Sequence, residues 1–139
     1  DRLRAEREPA SDAPVTLVLA ASDPAQPYGA VLPWPRRDEE ERLPLQRVAG
    51  AHVVLVRGEA ALYVERGGRG LLTLAAADDP EVMESALRAL ATLVGPGGPL
   101  REIRLERVNR QPPAESAIAE QLREIGFRPT YRSWLLRPA

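Results

Sequence analysis

The chain has 139 residues, with 19 basic and 20 acidic side chains and a formal net charge of -1. That length suits one domain with a core of its own, and the even charge balance argues against nucleic-acid binding through bulk electrostatics. The absence of cysteine excludes disulfides and thiolate metal sites, and a single histidine, His52, leaves a metal almost nothing but carboxylates.

All the basic residues are arginine and none is lysine. With abundant Ala, Gly and Pro, this reads as the codon usage of a GC-rich genome; the functional alternative is a choice of bidentate anion contacts. The chain opens on "DRLRAEREP" and its only methionine is Met83, so we expect a processed chain or a piece of a longer protein. No apolar run approaches the length of a membrane span, and no signal-peptide core is present at the start.

Residues 1–14 are polar, end in Pro, Ser, Asp and Pro, and read as a linker or the tail of a preceding helix. Val15–Ala21, "VTLVLAA", is rich in β-branched residues and predicts a buried strand, stopped by Ser22-Asp23-Pro24. Tyr28–Pro35, "YGAVLPWP", carries one of two tryptophans and one of three tyrosines between prolines. Prolines fix φ and lack an N–H, so this piece is extended and is neither helix nor central strand. Arg36–Arg42, "RRDEEER", has no apolar periodicity and reads as an exposed charged loop.

The middle predicts an antiparallel meander. Ala51–Val56, Ala60–Arg66 and Leu71–Ala76 are strands, joined by turns at Arg57-Gly58-Glu59 and Gly67-Gly68-Arg69-Gly70. Asp79-Pro80-Glu81 has the chemistry of a helix start. Met83, Leu87, Leu90 and Val94 then form one apolar face until Gly95–Pro99 ends it. Arg101–Val108 alternates, with Ile103 and Leu105 inward and Arg104 and Glu106 outward, as one half-exposed strand. A second helix is expected over Ala114–Ile125, closed by Gly126 and Phe127, and a last strand over Thr130–Arg137. The expected fold is therefore α+β: a single domain over residues 15–139, mainly antiparallel, with a three-stranded meander and two helices.

Chemical signals are sparse. "ERGGRG", Glu65–Gly70, is the best oxyanion candidate, with glycine amides flanked by Arg66 and Arg69. It joins strand to strand and matches neither phosphate-loop fingerprint, so a plain hairpin turn is the simpler reading. The run Asp38, Glu39, Glu40, Glu41 lacks the opposed placement that acid–base catalysis needs and reads as a solvated loop. His52 has no nucleophile motif beside it and reads as structural. Tyr28, Trp34, Tyr63, Tyr131 and Trp134 are the rings that could stack on bases. Tyr63 and Trp134 fall in strands and read as packing residues, whereas Trp34 divides evenly between packing and interaction.

The runs "SDPAQPYGAVLPWP", "RVAGAHVVLVRGEAALYVERGGRGLLTL" and "IGFRPTYRSWLLR" resemble the extreme C-terminal segment of the large helicase-related (Lhr) proteins, bacterial superfamily 2 ATP-dependent DNA helicases linked to DNA repair. The resemblance covers about Val15 to Arg137. Its specific parts are the D-P-x-x-x-Y-G-x-x-L-P-W-P run and the L-Y-x-E-R-G-G-R hairpin. It implies a cytoplasmic accessory module, with docking on preceding winged-helix domains or self-association, contact with single-stranded DNA and no membrane partner. ATP and Mg belong to the family's motor; no motor motif is present in this chain, so no cofactor and no catalytic or metal-binding residue is expected in it.

The resemblance also connects this region with excision of uracil from DNA through an aspartate near the chain end. Here the chain ends "YRSWLLRPA" and its last acidic residue is Glu124, so that role maps to no position. The rival reading is a glycosylase module that needs upstream groups; a third, from element order alone, is a small-molecule-binding domain. The candidate contact residues are Tyr28, Trp34, Arg36, Arg37, Arg66 and Arg69.

Overall fold

A computed structural model describes residues 15–38, 43 and 45–138. The expected linker over residues 1–14 and most of the carboxylate run (Glu39, Glu40 and Glu41) lie outside the described residues. Eight strands and two α-helices follow in the order β1 (Thr16–Ala20), β2 (His52–Val56), β3 (Glu59–Val64), β4 (Gly70–Thr73), α1 (Pro80–Ala91), β5 (Ile103–Leu105), β6 (Arg107–Val108), α2 (Ala119–Glu124), β7 (Arg128–Pro129) and β8 (Trp134–Leu136). The α+β class and the meander are as the sequence predicts.

The strands form two sheets. The larger has the order β1-β2-β3-β4-β6 and is antiparallel except for the parallel β4–β6 pair. The smaller has the order β5-β8-β7. The β2–β3 turn is two residues, Arg57 and Gly58, both at positive φ (54° and 83°), the conformation whose twist matches flanking antiparallel strands.

Alternation sends side chains of the large sheet to opposite faces. Val54, Val56, Leu62, Val64 and Leu71 face α1 and join the main core with Met83, Leu87, Leu90, Ile103, Leu105, Leu122, Phe127 and Trp134. Val53, Leu55, Ala60, Tyr63 and Leu72 face the other way and pack with Tyr28, Trp34, Leu43 and Leu45. The proline-rich segment is thus a strap across the sheet face opposite α1. A half-covered sheet would show polar residues on one side; after His52 the strand reads "VVLV", apolar and buried throughout, because both its faces are covered.

Helix α1 starts as expected. Asp79 caps it, its carboxylate accepting from the Glu81 N–H at 2.9 Å, and Pro80 occupies the first turn. Val94 continues the buried face in a 3₁₀ turn beyond the α-helix.

Four expectations need correction. Among the described residues β1 is an edge strand, not a buried one: it pairs there on one side only, and Leu17 is 52% exposed. Arg101–Val108 is two strands in two sheets. The Glu106 and Arg107 N–H groups both donate to the Arg69 carbonyl (2.7 and 3.2 Å), and the chain switches sheets there. The inward–outward alternation breaks there, with Glu106 and Arg107 both exposed and Val108 buried, and the break marks the switch. The second helix is short: Pro112-Pro113 starts a separate 3₁₀ turn, and α2 begins only at Ala119. The last strand is a hairpin, β7–β8, with β8 reduced to Trp134–Leu136.

Candidate functional site

The strap begins at a fully buried glutamine. Gln26 donates from Nε2 to the carbonyls of Ala21 (2.9 Å) and Tyr28 (3.1 Å), and its Oε1 accepts from the Tyr28 N–H. A buried amide is tolerable only when its donors and acceptors are matched, and this one is. Arg47 adds a second brace, donating to the carbonyls of Gln26, Tyr28 (3.0 Å) and Asp23 (3.1 Å).

The Pro27 carbonyl then accepts from the N–H groups of Ala30, Val31 and Leu32 (3.2, 3.0 and 3.0 Å), which closes a tight loop. Gly29 sits in it at φ +83°, and a Cβ there would lie 2.6 Å from the indole Nε1 of Trp34. The motif therefore needs its glycine twice, for the backbone and for the ring that lies on it.

Trp34 is half-buried and held between two tyrosines. It stacks on Tyr28 with centroids 6.1 Å apart and meets Tyr63 edge-on at 5.8 Å, both favourable geometries. The Tyr28 hydroxyl donates to the Gly58 carbonyl (3.1 Å), and the Tyr63 hydroxyl to the Gln46 carbonyl (2.9 Å). Burial holds the Tyr63 phenol above its ordinary pKa, despite the opposing hydrogen bond at Gln46. Each ring is thus tied to a different strand or loop, and the strap is fastened to the sheet by aromatic contacts and carbonyl bonds instead of ladder pairing.

Arg36 is exposed and shares a shallow depression with Pro33, Trp34, Pro35 and Asp38. Arg37 forks onto Asp78 (2.9 and 3.2 Å) and also donates to the Thr73 carbonyl (3.2 Å). Its hydrogen bonds hold the Asp78 carboxyl below the ordinary range. Arg66 and Arg69 are exposed on the separate β3–β4 turn, which packs against β5. The structure therefore brings Tyr28, Trp34 and Arg36 together, places Arg37 beside Thr73 and Asn109, and keeps Arg66 and Arg69 on another part of the surface.

The glycine-rich turn has its own structural logic. Glu65 lies across Gly70, where a Cβ would come within 2.0 Å of the carboxylate, and pairs with Arg107 at 2.8 Å. This joins the turn to β6. Gln26, Arg47 and Asn109 were not signalled by the sequence reading. Asn109, at φ 50°, extends the β4–β6 pairing with its side chain, accepting from the Thr73 N–H and donating to the Thr73 hydroxyl, both at 2.9 Å. Asparagine tolerates that conformation, but only its strand neighbour shows what the amide is for.

His52 borders a groove with Val18, Ala20 and the Pro96–Pro99 loop. Its Nδ1 has no hydrogen-bond partner among the described residues, and burial lowers its pKa. Among the described residues no group of acids and histidine is arranged to hold a metal ion, and no strand-to-helix phosphate loop is present. Among the described residues no helix is long and apolar enough to cross a membrane.

No family model matches the sequence. The chain is 45% identical over 93 residues to the Lhr helicase/probable uracil glycosylase of Mycolicibacterium smegmatis, covering 67% of this chain and 6% of that protein. It is 33% identical over 114 residues to the Lhr helicase/uracil glycosylase of Escherichia coli (strain K12), covering 80% of this chain and 7% of that protein. The chain spans less than a tenth of the length of these curated relatives, and on this similarity it belongs to the Lhr helicase-related family.

Proposed function

We propose that this domain is a C-terminal accessory module of a long, cytoplasmic ATP-dependent DNA helicase that acts in DNA repair. Its role is to dock against neighbouring winged-helix domains of the same protein and to contact single-stranded DNA. The observation that carries this reading is the match to helicases of which the aligned segment is only 6–7%, by a sequence without a motor motif. ATP and Mg would act at the motor of the parent protein.

Two features support docking. Among the described residues nothing pairs with the outer edge of β1, and Val15 and Leu17 are exposed at 73% and 52%. On the strap, Val31 is 84% exposed. An open edge with apolar side chains is a surface that native proteins usually cover. Hydrogen exchange tests the reading: joining the chain to the adjoining winged-helix segment should slow amide exchange in Thr16–Ala20. Unchanged exchange there would refute docking through this edge. The chain alone should show no DNA-stimulated ATP turnover, and measurable turnover would overturn the accessory reading.

The names of both relatives favour a second reading, a module of a uracil glycosylase. The last acidic residue, Glu124, is exposed on α2, so under this reading the excision chemistry draws on groups outside the chain. Abasic-site formation by the isolated domain on a uracil-containing oligonucleotide would show instead that the chemistry resides here.

A further inference from the structure

The chain has three tyrosines, two tryptophans and one phenylalanine. Phe127, Trp134 and Tyr63 are at most 5% exposed, and Tyr28 and Trp34 are half-buried. Tyr131 is 90% exposed. Its ring contributes nothing to the core, so packing does not account for it.

The ring is also presented from a fastened support. Tyr131 and Arg132 are the two tip residues of the turn between β7 and β8. The Thr130 N–H and hydroxyl both donate to the Ser133 carbonyl (2.7 and 2.9 Å), and the two hydroxyl oxygens are 2.8 Å apart. Pro129 stiffens the approach. A turn closed at its base limits the directions the ring can take, which lowers the entropy cost of a contact made by its face.

The surroundings are basic although the whole chain is not. Between Phe127 and Pro138 stand Arg128, Arg132 and Arg137, with no acid. The Arg132 guanidinium lies 5.1 Å from the Tyr131 ring centroid. Arg128 donates to the carbonyls of Arg123 and Phe127. Neither Arg128 nor Arg132 has a carboxylate partner among the described residues. Arg104, Leu135 and Arg128 stand opposite one another across the small sheet. Arg104 and Glu106 face Tyr131 and Arg132 across a shallow depression. The opposing acids are largely engaged: Glu102 pairs with Arg104 (2.9 Å) and Arg137 (3.5 Å), and Glu106 lies 3.7 Å from Arg107.

We propose that the outer face of the β5-β8-β7 sheet, led by Tyr131 and Arg132, is a stacking platform for a base of single-stranded DNA, with Arg128 and Arg132 placed for the adjoining phosphates. An exposed ring beside guanidinium groups that have no carboxylate partner among the described residues suits that partner, because a single strand offers both an open base face and a phosphate. A duplex hides its base faces and could use only the charges. The proposal rests on the reading that the domain contacts single-stranded DNA, and it names the surface.

Titration of a labelled oligothymidylate into the 139-residue chain, followed by anisotropy, tests it. We expect a dissociation constant of about 1–100 μM, the usual non-specific range at physiological salt. Tyr131→Ala should weaken binding about tenfold, within the stacking range, with an unchanged melting midpoint, and Tyr131→Phe should retain it. Arg132→Gln should reduce the slope of log affinity against log salt by about 0.7. Equal affinity for a duplex of the same length, or Tyr131→Ala binding like the wild type, would overturn the platform and leave DNA contact in place elsewhere. No binding by the wild-type chain would overturn both the platform and the reading beneath it.

Discussion

Replacing Trp34 by alanine tests the strap most directly. A covered tryptophan withdraws about 150–250 Å² from water. Trp34 keeps partial exposure, so roughly three-quarters of a mid-range value, about 150 Å², is at stake, or about 4 kcal/mol at ~25 cal/mol/Å². A compact unfolded state lowers this by about 10–40%. The contacts with Tyr28 and Tyr63 each restore about 0.5–1.5 kcal/mol. The expected loss is about 3–6 kcal/mol, which overlaps the usual range of about 3–5 kcal/mol for a large aromatic truncation. At about 2–4 °C per kcal/mol for a chain of this size, the melting midpoint should fall by about 10 °C. Thermal and urea melts followed by circular dichroism measure it. Gly29→Ala supplies an internal check. Its Cβ would meet the indole at 2.6 Å and its φ is +83°, so in the wild type it costs overpacking of about 1–3 kcal/mol plus backbone strain of about 1–2 kcal/mol. In the Trp34→Ala background only the backbone part should remain, and the two changes should be measurably coupled. An unchanged midpoint for Trp34→Ala, or strict additivity of the pair, would refute the clamp.

Gln26→Ala should cost about 2–3 kcal/mol, because it strands the Tyr28 N–H and the Ala21 carbonyl; a loss of unfolding free energy in urea melts below about 0.5 kcal/mol would show that these groups find other partners. Asn109→Ala removes the acceptor for the Thr73 N–H, and faster exchange of that one amide is the expected readout. Burial lowers the His52 pKa from its ordinary 6.5. The unfolded chain therefore binds a proton first, and stability should decline as pH falls through about 6.5 toward the lowered folded value. His52→Gln should flatten that part of the pH–stability curve, and an identical curve for the variant would refute the assignment. Asp78 contributes at the acid end: its carboxyl is held low by Arg37, so that contribution is present above the ordinary carboxylate pKa and is lost as pH falls through the depressed one. Arg37→Gln should reduce the loss; because the pair is exposed, the effect should be small.

Local chemistry made some of the fold legible. Asp79-Pro80-Glu81 announced α1, the Arg57-Gly58 and glycine-rich turns announced the meander, and the alternation over Arg101–Leu105 identified the buried Ile103 and Leu105. Each of these signals is carried by neighbours in sequence: a cap, a turn conformation or a two-residue period. The proline-bounded Tyr28–Pro35 run was legible as stiff and extended for the same reason, and the motif it shares with the family was readable from its residues.

What covers what was decided only in three dimensions. "VVLV", Val53–Val56, reads as apolar whether one helix or a helix and a strap cover it. It took the fold to show that α1 takes one face and that Tyr28 and Trp34 take the other. Alternation breaks at Glu106-Arg107, both exposed, but a broken period does not tell a bulge from a change of sheet; the two N–H groups sharing the Arg69 carbonyl do. Gln26, Arg47 and Asn109 are ordinary polar residues in the chain, and their partners come from backbone that folding brings alongside. Tyr131 and Trp134, three residues apart, separate only when a hairpin buries one at 5% and leaves the other 90% exposed. Burial and hydrogen-bond partnership are properties of pairs of distant segments, so a local pattern limits the candidates and packing selects among them.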